Sequence, residues 1–276
     1  MSGTMNTIKF KMPRTPAISK NHHRVCRSIT NALPLSVVEN HRHNSDELQQ
    51  RRRIVTVDTL VVSGPFGYDG FPQNVESGGA DIVVGSLMKN LGGGIAPTGG
   101  YIAGRADLIA MVADRLTAPG IGKEQGANFN LNNSFFKGLF MAPHAVGEAI
   151  KTAVFAAYMM EKLGYENVSP RYDEKRTDII QTVELKDRDS LVLFTQGLQE
   201  SSPIDSYVRV MPAMMPGYPF EEVMACGAFT QGSTIELSAD APVIPPYTLY
   251  MQGGLSLEYG KLSIMLALTK IRHQKP

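Results

Sequence analysis

The chain has 276 residues, of which 43% are hydrophobic and 19% are charged, and its formal net charge at pH 7 is +1. This composition is typical of one large globular domain or two ordinary ones, and it excludes a chain that is disordered throughout. The near-zero net charge gives no indication of a nucleic-acid or membrane partner. The two cysteines, Cys26 and Cys226, exclude a disulfide framework. No apolar run approaches the ~18 to 20 residues that a membrane-spanning helix needs.

The charges are unevenly distributed along the chain. Residues 1–53 carry ten Lys or Arg against three acids, a balance of +7, whereas the remaining residues carry 17 against 23. This segment shows no sustained helical or strand period, so we predict a largely disordered leader. Its first 38 residues contain no acid, which resembles an organelle transit peptide. A leader unrelated to the fold is an equal alternative, so the predicted location is cytoplasmic, or mitochondrial or plastid if the segment is a transit peptide.

Histidines of the same segment raise the question of a metal site. His22, His23 and Cys26, with His41 and His43 further on, could supply ligands for zinc. Their spacing fits no closed four-ligand site, and a basic segment would have to order itself around the ion. Solvated histidines are therefore favoured, and no metal is predicted.

From Ile54 onward the pattern changes to alternating strands and helices. β-branched and apolar runs predict strands over 54–62, 81–86, 100–104 and 177–185. Apolar residues at helical spacing, with Gly or Pro at the ends, predict helices over 105–118, 140–164, 187–202 and 253–271. The predicted packing face of the last helix consists of Leu255, Tyr259, Leu262, Leu266 and Thr269. The stretch 224–240 reads as one or two strands around Gly232. We therefore predict three segments: a basic leader (1–53), part of a large domain (54–170) and a C-terminal α+β domain (171–276).

One lysine, Lys89, stands between an apolar strand and a glycine-rich stretch, "GSLMKNLGGGIAPTGGYIAGR". The order of residues fits neither the nucleoside-triphosphate loop nor the dinucleotide fingerprint. Desolvation at the end of a buried strand lowers the pKa of a lysine, and an unprotonated amine can form an imine with pyridoxal phosphate. Ser86, three residues earlier, could donate a hydrogen bond to the cofactor phosphate. A surface lysine on a glycine-rich hairpin fits the composition equally well.

Longer runs carry a resemblance to a known family. They are "GADIVVGSLMKNLGGGIAPTGGYIAGR", "EKRTDIIQTVEL", "SPIDSYV", "MPGYPFEEVMACGAFTQGSTIELSADAP" and "PPYTLYMQGGLSLEYGKL". Over about Gly79 to Leu268, the chain resembles the methionine γ-lyase-like family, also called aluminium-resistance proteins. These are cystathionine-lyase-related enzymes of pyridoxal-phosphate fold type I. The resemblance implies an α/β fold: part of the fold type I large domain, with a mixed sheet and helices, plus the smaller C-terminal α+β domain.

The resemblance also implies roles for individual residues. Lys89 would be the Schiff-base lysine that moves the substrate α-proton, and Ser86 would contact the cofactor phosphate. Asp58 is the candidate partner of the pyridine nitrogen. Asp69 is the alternative for that role. Asp58 could also be an aspartate that only stabilises a turn. The implied function is pyridoxal-phosphate-dependent elimination on a sulfur-containing amino acid by a homo-oligomer.

Two departures from the family pattern leave an alternative function open. The family has a much longer segment before its lysine, whereas this chain has 88 residues there. Ile244 stands where the resemblance places an arginine, the side chain best suited to clamp a substrate carboxylate. The alternative is a truncated, catalytically inactive homologue that serves only as an interaction or oligomerisation remnant.

Overall fold

The structure is a computed structural model that describes residues 54–56, 82–117, 120, 129–176 and 178–274. None of the helices it describes is long and apolar enough to cross a membrane. The strands are β1 (Ile54–Thr56), β2 (Ile82–Ser86), β3 (Gly100–Gly104), β4 (Val168–Ser169), β5 (Ile180–Glu184), β6 (Ala213–Met214), β7 (Glu221–Ala225), β8 (Ser238–Pro242) and β9 (Thr248–Gln252). The helices are α1 (Ala106–Leu116), α2 (Asn132–Lys162), α3 (Arg188–Glu200) and α4 (Leu257–Gln274).

The first sheet leads into the turn that contains Lys89, residues 86–92, which we call the lysine turn. Within the described residues it has three strands in the order β1-β2-β3. β2 pairs in parallel with β1 and antiparallel with β3. After β2 ends at Ser86, a tight turn leads into a single 3₁₀ turn, Asn90–Gly92. β1 covers the beginning of the strand predicted over 54–62, and the rest of that prediction lies outside the described residues.

The second sheet is antiparallel, and its described strands follow the order β4-β5-β9-β8-β7-β6. α3 packs against β7 and β8, and α4 packs on α3. Because side chains alternate along a strand, one face of the sheet is apolar and the other is polar. The apolar face buries Val223, Ala225, Ala239, Ala241, Leu249 and Met251 in the main core.

Helix α2 connects the two sheets. It ends just before Gly164, which has φ +81°, as predicted for a residue that follows a helix C-terminus. It begins at Asn132, eight residues before the predicted start. It packs against the 3₁₀ turn after Lys89 and also against β4, β5 and α4. The predicted domain boundary near residue 170 stays a prediction.

The face that α4 presents to the core differs from the predicted one. Leu262 and Leu266, predicted on the packing face, are 56% and 44% exposed, whereas Ile264 and Ala267 are fully buried. The cause is close packing on α3, since a Cβ on Gly197 would lie 2.5 Å from the Cα of Ala267. Small side chains permit this approach and leucines would not. The prediction of a leucine stripe facing the core is wrong.

Candidate active site

Lys89 lies in the turn that follows β2, and its side chain is partly buried. The backbone N–H of Met88 donates to Ser86 Oγ at 3.2 Å. The N–H of Gly92 donates to the carbonyl of Lys89 at 3.0 Å. Because a hydroxyl that accepts one hydrogen bond can still donate another, Ser86 keeps a donor. The structure thus brings Lys89 and Ser86 into one hydrogen-bonded turn.

The glycines after Lys89 have a packing role that sequence reasoning missed. A Cβ on Gly93, which has φ +57°, would lie 2.6 Å from the carbonyl oxygen of Gly138 in α2. A Cβ on Gly94 would lie 2.6 Å from Leu255 Cδ2, just before α4. At Gly93 the neighbour is backbone, so only glycine lets the two backbones approach this closely, whereas at Gly94 the φ of +72° is what favours glycine. These glycines therefore hold the lysine turn against α2 and the start of α4.

A loop of the second sheet, residues 229–234 between β7 and β8, reaches the lysine turn. A Cβ on Gly232, which has φ +81°, would lie 3.1 Å from Met88 Cε. The next residue, Ser233, is 4% exposed. Its Oγ has no hydrogen-bond partner within the described part of the chain. A buried hydroxyl without a partner is costly, so it marks a position where a ligand group would be stabilised.

On the polar face of the second sheet, the carboxyl group of Asp240 interacts electrostatically with Lys89 and with a second carboxyl group, Glu222. Register places Asp240 opposite Met224, and Glu222 opposite Pro242, so both acids share one face. The pKa of Asp240 is raised to about 6, first by burial and then by the nearby Glu222 carboxylate, while the positive charge of Lys89 opposes the rise. Burial also raises the pKa of Glu222. Sequence reasoning missed this pair because two acids 18 positions apart meet only through sheet register.

The structure does not describe every residue that the sequence assigned to a site. Asp58 and Asp69 lie outside the described residues, as do His22, His23, Cys26, His41 and His43. Among the described residues, no group of three or more His, Cys, Asp or Glu could hold a metal ion. Ile244 follows β8 and is 39% exposed.

The fold places the chain among lyase-like mixed α/β proteins. The crystal structure of a carbon–sulfur lyase involved in aluminium resistance from Clostridium novyi NT matches it with a TM-score of 0.69 and 47% identity, over 79% of this chain and 50% of that chain. A proposed cystathionine beta-lyase involved in aluminium resistance from Listeria monocytogenes matches with a TM-score of 0.71 and 43% identity, over 79% and 53%. The predicted α/β fold is thereby confirmed.

The sequence comparisons identify the family. The methionine gamma-lyase family profile matches residues 47–272, so the chain belongs to that family, as predicted. An uncharacterised 33.9 kDa protein of Lactobacillus delbrueckii subsp. bulgaricus is 49% identical over 193 residues, which are 70% of this chain and 63% of that protein. The uncharacterised protein YnbB of Bacillus subtilis is 47% identical over 220 residues, 79% of this chain and 52% of that protein. The chain thus spans between about half and two thirds of the length of these relatives.

Proposed function

We propose that this chain acts in a pyridoxal-phosphate-dependent carbon–sulfur lyase that eliminates a thiol from a sulfur-containing amino acid. The observation that carries the proposal is the position of Lys89, partly buried in the turn after β2 and hydrogen-bonded into the same turn as Ser86. A lysine in such a turn is a nucleophile held on a backbone that hydrogen bonds fix. Membership of the methionine gamma-lyase family and the likeness to a carbon–sulfur lyase support the same reaction class.

The residues at the site fit the cofactor that this chemistry requires. Pyridoxal phosphate needs an amine for its aldehyde and hydrogen-bond donors for its phosphate. Lys89 supplies the amine, and Ser86 keeps a hydroxyl proton to donate. Ser233 adds a buried hydroxyl without a partner in the described part of the chain. Lys89 and Ser86 would therefore hold the cofactor, and Asp58 is the residue we propose for its ring nitrogen.

The residues of the chain have defined tasks in such an elimination. Bound pyridoxal phosphate would withdraw electrons from the substrate Cα. The Lys89 Nζ would take the proton from that Cα and return a proton to the departing sulfur. Because the pKa of Asp240 is raised to about 6, the carboxyl group that interacts electrostatically with Lys89 is neutral in acidic solution and negatively charged at neutral pH.

Trapping the cofactor on the protein tests this function. The chain is incubated with pyridoxal phosphate, reduced with borohydride and digested, and the mass added to each lysine peptide is measured. We expect selective addition at Lys89 and its loss in Lys89→Ala. Lys151→Ala is the matched control, because Lys151 lies on the surface of α2 with its side chain 59% exposed. Equal addition at all exposed lysines would contradict the proposal and favour a non-catalytic member of the family.

We also propose, from the family resemblance, that the chain forms a homo-oligomer. Sedimentation velocity over a range of protein concentrations measures this directly. A single monomeric species at every concentration would contradict it.

A further inference from the structure

A buried carboxylate organises the loop that touches the lysine turn. Glu236 is 4% exposed. Its Oε2 accepts a hydrogen bond from the N–H of Phe229 at 2.8 Å, and its Oε1 accepts one from the N–H of Thr230 at 3.0 Å. Because each of the two carboxyl oxygens accepts one hydrogen bond, the orientation of the side chain is fixed. The two N–H groups at the start of the loop are thereby tied to one side chain.

The backbone around Glu236 is itself anchored in the core. The preceding residue, Ile235, is fully buried and packs in a cluster with Val146 and Ala149 of α2. Its carbonyl accepts a hydrogen bond from the N–H of Gly254 at 2.9 Å. A side chain at Gly253 would clash, since its Cβ would lie 2.5 Å from the carbonyl oxygen of Glu236. Glu236 therefore extends from a rigid base.

The far end of the loop contacts the residue beside Lys89. The N–H of Ser233 donates to the carbonyl of Thr230 at 3.0 Å and closes a turn. This turn directs Gly232 towards Met88, whose Cε would lie 3.1 Å from a Cβ at Gly232. Methionine has three rotatable side-chain bonds, so its position depends on its neighbours. A continuous path of contacts thus runs from Glu236 through the loop to Met88.

We propose that Glu236 is a positioning residue for Lys89, acting through loop 229–234 and Met88. This inference rests on the proposed function in one respect only, namely that the group with which Lys89 reacts is the aldehyde of pyridoxal phosphate. When Glu236 no longer holds the loop, Met88 loses its neighbour and the lysine turn gains freedom. Reactions that depend on fixed geometry slow down when a reacting group is displaced, by up to about 100-fold for a shift of 1 Å.

The test uses Glu236→Gln in the full chain. The substitution keeps the size of the side chain but turns an NH₂ group towards a backbone N–H, so one of the two loop bonds is lost. We expect faster hydrogen exchange at Phe229 and Thr230. We also expect faster acetylation of Lys89 by acetic anhydride, relative to Lys151, and an approximately tenfold slower trapping of pyridoxal phosphate on Lys89.

Two further variants test whether the effect of Glu236 reaches Lys89 through loop 229–234 and Met88. Glu184→Gln removes a carboxylate from β5, where its partner is the side-chain amide of Asn167, and it should leave all three measurements at wild-type values. Met88→Ala removes the contact in the middle of the path. In that background Glu236→Gln should have a smaller effect on Lys89 than in wild type, because contacting residues on one path are not additive.

The outcomes separate this inference from the proposed function. Unchanged hydrogen exchange at Phe229 and Thr230 would overturn the inference, because Glu236 would not be holding the loop. Faster exchange with wild-type acetylation and trapping at Lys89 would overturn it as well, because the loop would not position the lysine. If pyridoxal phosphate never attaches to wild-type Lys89 but its acetylation responds to Glu236→Gln, the proposed function fails and the positioning role stands.

Discussion

Gly138 and Gly92 are in backbone contact: a Cβ on Gly138 would lie 2.4 Å from the carbonyl oxygen of Gly92. Gly138 belongs to α2, and Gly92 closes the 3₁₀ turn after Lys89. The pair joins the lysine turn to the helix that also supports the second sheet. We expect Gly138→Ala to lower the free energy of unfolding by about 1 to 3 kcal/mol, because the new methyl group forces backbone to move. Urea denaturation measures this change.

The same helix offers a matched control. Gly147 has nothing within 4 Å of its Cβ position, so Gly147→Ala adds a methyl group without a clash. Replacing a helical glycine by alanine stabilises a helix by up to about 1 kcal/mol. We therefore expect the two substitutions to have opposite signs, and two equal decreases would contradict the contact between Gly138 and Gly92.

Asp240 makes stability depend on pH. Its pKa rises from 3.8 in the unfolded chain to about 6 in the folded one, mainly through burial. The folded state therefore binds the proton more tightly, and the free energy of unfolding falls as pH rises from about 4 to about 6. Asp240→Asn removes this titration and should stabilise the protein by about 1 to 3 kcal/mol at pH 8. Below about pH 4 the difference should be small, and a difference that is constant from pH 4 to pH 8 would contradict the assignment.

Arg176 is buried, with 8% of its surface exposed, and it forms hydrogen bonds to three segments of the chain. Its guanidinium donates to Gln181 Oε1 at 2.5 Å and to the carbonyls of Pro170 and Ala153 at 3.3 and 3.4 Å. Burial lowers the pKa of Arg176 to about 10, so it remains charged at neutral pH. We expect Arg176→Met to lower the free energy of unfolding by about 2 to 4 kcal/mol, because several buried acceptors lose their donor. Thermal and urea denaturation would measure this.

Arg171 is the control for that substitution. Its side chain is 55% exposed and forms an ion pair with Glu161 at 2.9 Å. Exposed ion pairs contribute at most about 1 kcal/mol, so Arg171→Met should have a small effect. Equal decreases in the free energy of unfolding for the two substitutions would contradict the stabilising role of the buried Arg176 hydrogen bonds.

The N-terminus of α3 depends on a capping residue. Asp187 precedes the helix in an extended conformation, and its Oδ1 accepts a hydrogen bond from the N–H of Ser190 at 2.7 Å. We expect Asp187→Ala to cost about 1 kcal/mol, measured by urea denaturation. Arg188→Ala, which removes only an exposed 3.7 Å ion pair with Glu221, should cost less. A larger loss for Arg188→Ala would contradict the capping role.

Elements with a strong local pattern could be predicted from the sequence. β2, β3, α1 and α3 were predicted within a few residues of their bounds, because strand and helix periods are visible in a short window. The first turns of α2 were missed, since "NNSFFKGL" has no apolar period and leaves Phe136 54% exposed. β9 was also missed: "TLYMQ" is short, and its strand character depends on pairing with β5 and β8.

The candidate site also contains residues that could be predicted from the sequence and residues that could not. Lys89 and Ser86 are three residues apart, so a local motif was sufficient to bring them together. Glu236 and Asp240 lie about 150 positions later in the chain, and no local pattern connects them with Lys89. The register of β7 and β8 turns Asp240 and Glu222 towards one face, and two hydrogen bonds from Glu236 shape the loop that meets Met88. Burial then raises the pKa of Asp240, an effect of desolvation that arises only when distant segments pack together.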